Sequence, residues 1–166
     1  MADGHSRCEV DIMVFDDPKN LRPRRSPRLP GLDYTAANVY FVTVCTHRKQ
    51  CIFGLPDAPT VLGSAAAQGI REIPAHFPGV RVDKWVVMPN HIHMMLLTPH
   101  AKYNLADIIG SYKSYVSKCA HQTHPQCTVW QRSYYDRVVR DKVSYLEFWQ
   151  YIDNNPAKWL LDEYHP

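Results

Sequence analysis

Long hydrophobic runs are missing from this sequence: no stretch approaches the length of a transmembrane helix. The opening residues, Met-Ala-Asp-Gly-His-Ser-Arg, lack the apolar centre of a signal peptide. Paired cysteine motifs are missing too. Cys8, Cys45, Cys51, Cys119 and Cys127 make an odd count with no Cys-x-x-Cys pair, which suits reduced thiols better than a disulfide framework. These absences point to a cytoplasmic chain with no membrane partner. Charge of one sign is also scarce. With a formal net charge of only +3, nucleic-acid binding cannot rest on bulk attraction and needs local basic clusters and a defined site.

What is present describes one globular unit. The 166 residues suffice for one domain with a core, and 45% hydrophobic against 21% charged residues excludes a disordered chain. Residues 1–33 read as an appendage. Pro18, Pro23, Pro27 and Pro30 oppose helix and sheet alike, and the stretch Leu21–Arg28 is basic. This segment is either a solvated linker or an arm that tracks phosphates through Arg22, Arg24, Arg25 and Arg28. Residues 34–166 form the single domain.

Within that domain, the β-branched and aromatic run from Val39 to Thr46 predicts a buried strand. Ala65, Ala66, Ile70 and Ile73 recur at helical spacing in a helix expected over Asp57–Ala75. Val80–Met88 and His91–Leu97 read as two strands joined by a Pro89-Asn90 turn. A helix over Asn104–His121 carries the stripe Leu105, Ile108, Ile109, Tyr112, Val116 and Cys119. Short strands near Thr128–Gln131 and Tyr134–Arg140 follow, then a helix over Asp141–Asn155 that Pro156 should stop. This order implies an α+β fold: a ferredoxin-like sandwich whose antiparallel sheet carries the His-x-His motif and is covered by helices.

His91 and His93 stand two apart in an expected strand, so both rings leave the same face, rooted about 7 Å apart. They can converge on one divalent ion, or be histidines satisfied by hydrogen bonds at a sheet surface. An otherwise apolar strand that gives two same-face positions to polar rings favours the former, because unpaired burial is costly. On the last helix Tyr145, Phe148, Trp149 and Ile152 form the apolar stripe, while Tyr151 lies about 110° from its centre, with Asn155 one turn on. A phenol, with an ordinary pKa of about 10, can attack a phosphodiester when a metal polarises the phosphoryl group. An Asn155 oxygen can complete the sphere of a hard ion such as Mg or Mn. The plainer reading of Tyr151 is a half-buried aromatic.

Other constellations compete. Cys119, His121, His124 and Cys127 are compact enough to suggest zinc, but the spacing matches no common finger. Tyr112 and Tyr115 read as core. Of Tyr134 and Tyr135, the one facing outward can stack on a base. Arg132, Arg137 and Arg140 flank this pair, and Lys113 and Lys118 lie on the polar side of the middle helix. Either set can be merely solvated charge.

The segment Trp85–Leu97 resembles the metal motif of HUH endonucleases: histidine, bulky apolar residue, histidine. Tyr40–His47 with Cys51–Gly54, Trp130–Arg140 and Tyr151–Pro156 are similar to blocks of REP-associated tyrosine transposases, relatives of the single-tyrosine transposases of small insertion sequences. The likeness runs from about Leu29 to Trp159 and leaves out Met1–Asn20 and His121–Cys127. It implies that His91, His93 and Asn155 bind a divalent metal, Mg or Mn, and that Tyr151 is the nucleophile. It implies cleavage and rejoining of single-stranded DNA at hairpins, typically repetitive extragenic palindromes, through a 5′-phosphotyrosine. Arg24, Arg25, Arg28, Arg132, Tyr135, Arg137 and Arg140 are the expected DNA contacts, and the chain is expected as a monomer or a homodimer. Two other readings stay open: a catalytically silent protein of the same fold that binds structured DNA, and a hydrolase that uses metal-activated water.

Overall fold

The computed structural model describes residues 38–98 and 103–165, so the arm of residues 1–33, with Arg24, Arg25 and Arg28, lies outside the described residues. The elements are β1 (Asn38–Cys45), a small hairpin of β2 (Gly54–Leu55) and β3 (Ala58–Pro59), α1 (Val61–His76), β4 (Arg81–Val87), β5 (His91–Thr98), α2 (Leu105–His121), β6 (Tyr135–Val139) and α3 (Lys142–Asn154). The main sheet has the order β4-β5-β1-β6 with every pair antiparallel. Setting the small hairpin aside, the chain runs strand, helix, strand, strand, helix, strand, with its first and third strands central. This is the ferredoxin-like α+β sandwich expected from the sequence.

Alternation along the strands divides the core in two. Tyr40, Val42 and Val44 of β1 and Ile92, Met94 and Leu96 of β5 pack with Ala66, Ile70 and Ile73 of α1 and Ile108, Ile109, Tyr112 and Val116 of α2. On the opposite face Phe41, Val86 and Met95 meet Tyr145, Phe148, Trp149 and Ile152 of α3. Both His91 and His93 belong to this second face, since they alternate with Ile92 and Met94. Their strand is paired on both sides, by β1 and by β4, which leaves it little freedom to shift. Each α-helix is capped by the residue before it: Thr60 accepts from Gly63 N at 3.0 Å, Asn104 from Asp107 N at 2.9 Å and Asp141 from Ser144 N at 2.8 Å. No helix among the described residues is long and apolar enough to cross a membrane.

Several element boundaries differ from expectation. The helix expected from Asp57 starts at Val61, because the β2–β3 hairpin occupies Gly54–Pro59 and Thr60 caps the helix behind it. The strand expected over Thr128–Gln131 is a single bridge between Thr46 and Trp130. Asp141 is a cap, and Pro156 does not end the helical winding. It opens a 3-10 segment over Pro156–Leu161, where a first-turn proline sacrifices no hydrogen bond.

The junction between hairpin and helix is tight at Gly63. A Cβ there would fall onto the Phe53 carbonyl, whose oxygen already accepts from Thr60 N at 2.8 Å. Gly63→Ala is therefore expected to destabilise the protein by about 2 kcal/mol or more. Urea denaturation followed by circular dichroism checks this, and a midpoint equal to wild type would contradict the tight packing.

Candidate functional site

Antiparallel register sets Thr43 of β1 opposite His93 and Cys45 opposite His91. The two imidazoles lie 4.6 Å apart between centroids, and both are sealed from solvent at 0% and 1% exposure. Each Nδ1 has a partner: His93 meets the Thr43 hydroxyl at 2.8 Å and His91 meets Asn90 Oδ1 at 2.9 Å. The Asn90 amide cannot be turned over. Its nitrogen donates to the carbonyls of Tyr164 at 2.6 Å and Lys49 at 3.2 Å, and a flip would point oxygen at both. Asn90 Oδ1 therefore faces His91, and His91 must donate from Nδ1. That leaves a lone pair on Nε2. Burial pushes the His91 pKa down to about 3 and His93 well below the usual imidazole range, so both rings are neutral.

Tyr151 of α3 sets its ring across His93 at 5.1 Å and Phe41 at 5.8 Å, and the residue is 37% exposed. Burial, reinforced by the Asp162 and Glu163 carboxylates, pushes its phenol well above the ordinary value, while the Asn155 amide pulls the other way. Asn155 is buried, and its nitrogen donates to Asp162 Oδ2 at 2.9 Å. Asp162 Oδ1 accepts from Tyr164 N at 2.7 Å, and its Oδ2 stands 3.9 Å from His91 Nε2. Burial raises this carboxyl.

Three buried atoms have no hydrogen-bond partner among the described residues: His91 Nε2, His93 Nε2 and Asn155 Oδ1. The Asn90 network makes His91 Nε2 an acceptor and Asn155 Oδ1 is one by nature; His93 Nε2 is a third in the tautomer whose Nδ1 donates to Thr43. Buried acceptors gathered without a donor are costly unless a cation answers them. The set of two imidazole nitrogens and one amide oxygen fits a small divalent ion. Among the described residues no group of three or more His, Cys, Asp and Glu side chains is placed to hold a metal, so the fit rests on two histidines and an amide. The suspected zinc set at Cys119–Cys127 is not gathered either; there His121 Nε2 meets the Cys127 carbonyl at 2.9 Å.

The segment after Asn155 lies across this site. The Tyr164 ring is 4.5 Å from His91 and the Trp159 ring 6.1 Å. Tyr135 pairs with Thr43 and Arg137 with Phe41, which places both on the histidine face. Arg137 is exposed and Tyr135 half-buried. Arg132 and Arg140, which flank β6 on either side, are both exposed. Tyr134 packs against the opposite core. Two expectations on α2 fail. Tyr115, read as core, is 39% exposed. Lys113, read as a solvated cation, turns inward and donates to the carbonyls of Gln131, Arg132 and Ser133 at 2.6, 3.4 and 3.2 Å. Tyr112 is core as expected, its hydroxyl donating to the Ala66 carbonyl at 3.1 Å.

Sequence reasoning missed Thr43, Asn90, Asp162 and Tyr164. Strand register could have found Thr43, and adjacency to His91 could have flagged Asn90. The other two reach the site only because the chain folds back.

The sequence matches the family described as IS200-like transposases over residues 33–155, a span that contains His91, His93, Tyr151 and Asn155. An uncharacterised protein of Haemophilus influenzae is 32% identical over 169 aligned residues, covering 84% of this chain and 92% of that one. A second H. influenzae protein, provisionally named a REP-associated tyrosine transposase, is 25% identical over 136 residues, covering 76% and 74%. Two solved structures share the fold. A REP-associated tyrosine transposase bound to a REP hairpin superposes with a TM-score of 0.63 at 19% identity, over 77% of this chain and 72% of that one. A transposase, provisionally so named, from Deinococcus radiodurans R1 gives 0.53 at 17% identity, over 75% and 95%.

The Asn90 network makes one directly measurable prediction. In protein free of divalent ions, two-bond ¹H–¹⁵N correlation spectra should show His91 as the Nδ1–H tautomer across neutral pH. Asn90→Ala should lose that preference, because no other side chain meets the His91 Nδ1 among the described residues. An Nε2–H signal in the wild type would contradict the amide argument.

Proposed function

The chain belongs to the IS200-like transposase family, and from that premise we propose that it cuts and rejoins single-stranded DNA at palindromic hairpins through Tyr151. The observation that carries this reading is the convergence of three buried, unpartnered acceptor atoms beside a tyrosine one helical turn from Asn155. The Tyr151 oxygen attacks phosphorus and the bond from phosphorus to the 3′ oxygen breaks. The products are a 5′-phosphotyrosine and a strand ending in a 3′-hydroxyl, which has taken up a proton. No water is consumed, so the phosphodiester is conserved and a second 3′-hydroxyl can reverse the step.

Each side chain has a part in this. A divalent ion, Mg or Mn, bound by His91 Nε2, His93 Nε2 and Asn155 Oδ1 would polarise a phosphoryl oxygen and align the scissile bond. Thr43 and Asn90 orient the two imidazoles. The stacked rings of Phe41 and His93 support the Tyr151 ring edge-on from the sheet and bias its approach. Tyr135 offers a stacking face to a base, while Arg132, Arg137 and Arg140, with Arg24, Arg25 and Arg28 of the arm, meet phosphates and position the strand without reading it. The REP hairpin on the structurally similar transposase supports a hairpin as the substrate. With both imidazoles shut from solvent beneath Tyr164 and Trp159, DNA can meet the exposed Tyr151 but reaches the metal site only when residues 156–165 move aside.

Labelled hairpin-bearing single-stranded DNA, incubated with the protein and Mn²⁺ and run on a denaturing gel, is expected to give a covalent adduct with wild type and none with Tyr151→Phe. His91→Ala should reduce the adduct to background while leaving DNA binding. Cleavage that survives Tyr151→Phe but needs His91 would point to a water nucleophile. Binding with no cleavage in either metal would point to a silent DNA-binding protein.

A further inference from the structure

The turn that leaves β1, His47–Lys49, is built in an unusual way. Arg48 and Lys49 both hold positive φ, 52° and 55°, the left-handed region that side chains with a Cβ avoid and glycine adopts freely. Two adjacent long cationic residues in this conformation persist only because the surroundings impose it. The Thr46 hydroxyl donates to the carbonyls of Gln50 and Asn90, at 2.8 and 2.9 Å, and His47 N donates to the Val129 carbonyl at 2.9 Å. Asn90 Nδ2 holds the Lys49 carbonyl at 3.2 Å.

The position of the turn gives the strain a purpose. It springs from Cys45, the partner of His91 in the sheet, and it shares Asn90 with His91. The Lys49 ammonium stands 5.3 Å over the ring of Tyr164, which itself lies against His91. Several cations on the described surface are engaged: Arg81 with Asp83, Lys84 with Asp153, Arg71 over Trp85. Lys49 donates to the Glu163 carbonyl at 3.0 Å, an oxygen acceptor of the kind a phosphate also offers. Arg48 is exposed and, among the described residues, has no carboxylate paired with it.

We propose that this turn is a phosphate clamp: Arg48, with Lys49 beside it, grips the backbone of the single strand where it passes the mouth of the His91 site. The inference rests on the DNA-cutting reading and adds a contact that the arginines around β6 do not supply. Arg137 lies along β6, opposite Phe41, whereas Arg132 and the turn share the end of β1, where His47 N donates to the Val129 carbonyl and Gln131 N to the Cys45 carbonyl. A strand crossing the site is then held at this end by Arg48 and farther along the sheet by Arg137. Guanidinium suits the task, because its planar fork bonds two phosphate oxygens at once.

The test separates strain from function. Arg48→Gly keeps a backbone that tolerates positive φ, so the fold is retained, with a melting temperature at or above wild type. Its affinity for hairpin-bearing single-stranded DNA, measured by fluorescence anisotropy across a salt series, should fall several-fold at low salt. The slope of log K against log salt should become shallower by about 0.7, the value for one lost contact to a single strand. Arg48→Lys, which keeps the charge, should retain most of the slope. A wild-type slope and affinity in Arg48→Gly would overturn the clamp while leaving the DNA-cutting reading intact. A wild-type protein that binds no such DNA would remove both together.

Discussion

Two neutral imidazoles, each with one nitrogen bonded and the other bare, are shut away from water between a sheet and a folded-back chain end. Much else in the molecule follows from that constraint. A buried polar atom without a partner is unfavourable, and the surrounding contacts must hold these against local rearrangement. β5 is therefore a doubly paired strand, with Thr43 supplied by β1 and Asn90 by the turn before it. Asn90 does more than orient a ring. Its amide also ties down the Lys49 carbonyl and the Tyr164 carbonyl, so one side chain joins the β1 turn, the histidine face and the segment that folds back over it.

The proposed nucleophile is held differently. Ile152 is the one fully buried residue of α3, and Tyr145, Phe148 and Trp149 are only partly covered. The two imidazoles thus sit on a strand paired on both sides, while Tyr151, with Asn155 at its helix's end, rides on a thin apolar anchor. Segments with little buried contact open at low free-energy cost. A covalent mechanism in which the tyrosine must first attack and later release DNA benefits from that difference in stiffness.

Much of this arrangement is legible in the amino-acid sequence. The period of two along β5 puts His91 and His93 on one face, and the 3.6-residue period of α3 sets Tyr151 beside its apolar stripe. Both are local regularities, and tertiary packing preserves them. What cannot be read depends on contacts distant in sequence. Lys113 looks like a solvated cation on helical spacing alone, yet three carbonyls 18 to 20 residues away draw it inward. Tyr115 looks like core because it flanks the stripe, but the groove beside α1 leaves it open. Asp162 and Tyr164 carry no local signal at all, since their importance comes from a chain reversal that begins at Pro156.

The strand β6 has a consequence of another kind. It is an outer strand of the sheet, paired among the described residues with β1 on one side only, so its other side presents backbone groups outside the sheet ladder. Such an edge is a template for stray strand addition and hence for aggregation, and proteins protect it with charge. Arg137 projects from the middle of β6, and Arg132 and Arg140 guard its ends. The arginines proposed to meet phosphates therefore also help to keep copies of the chain apart. On that proposal one short strand answers to two constraints, and neither can relax alone.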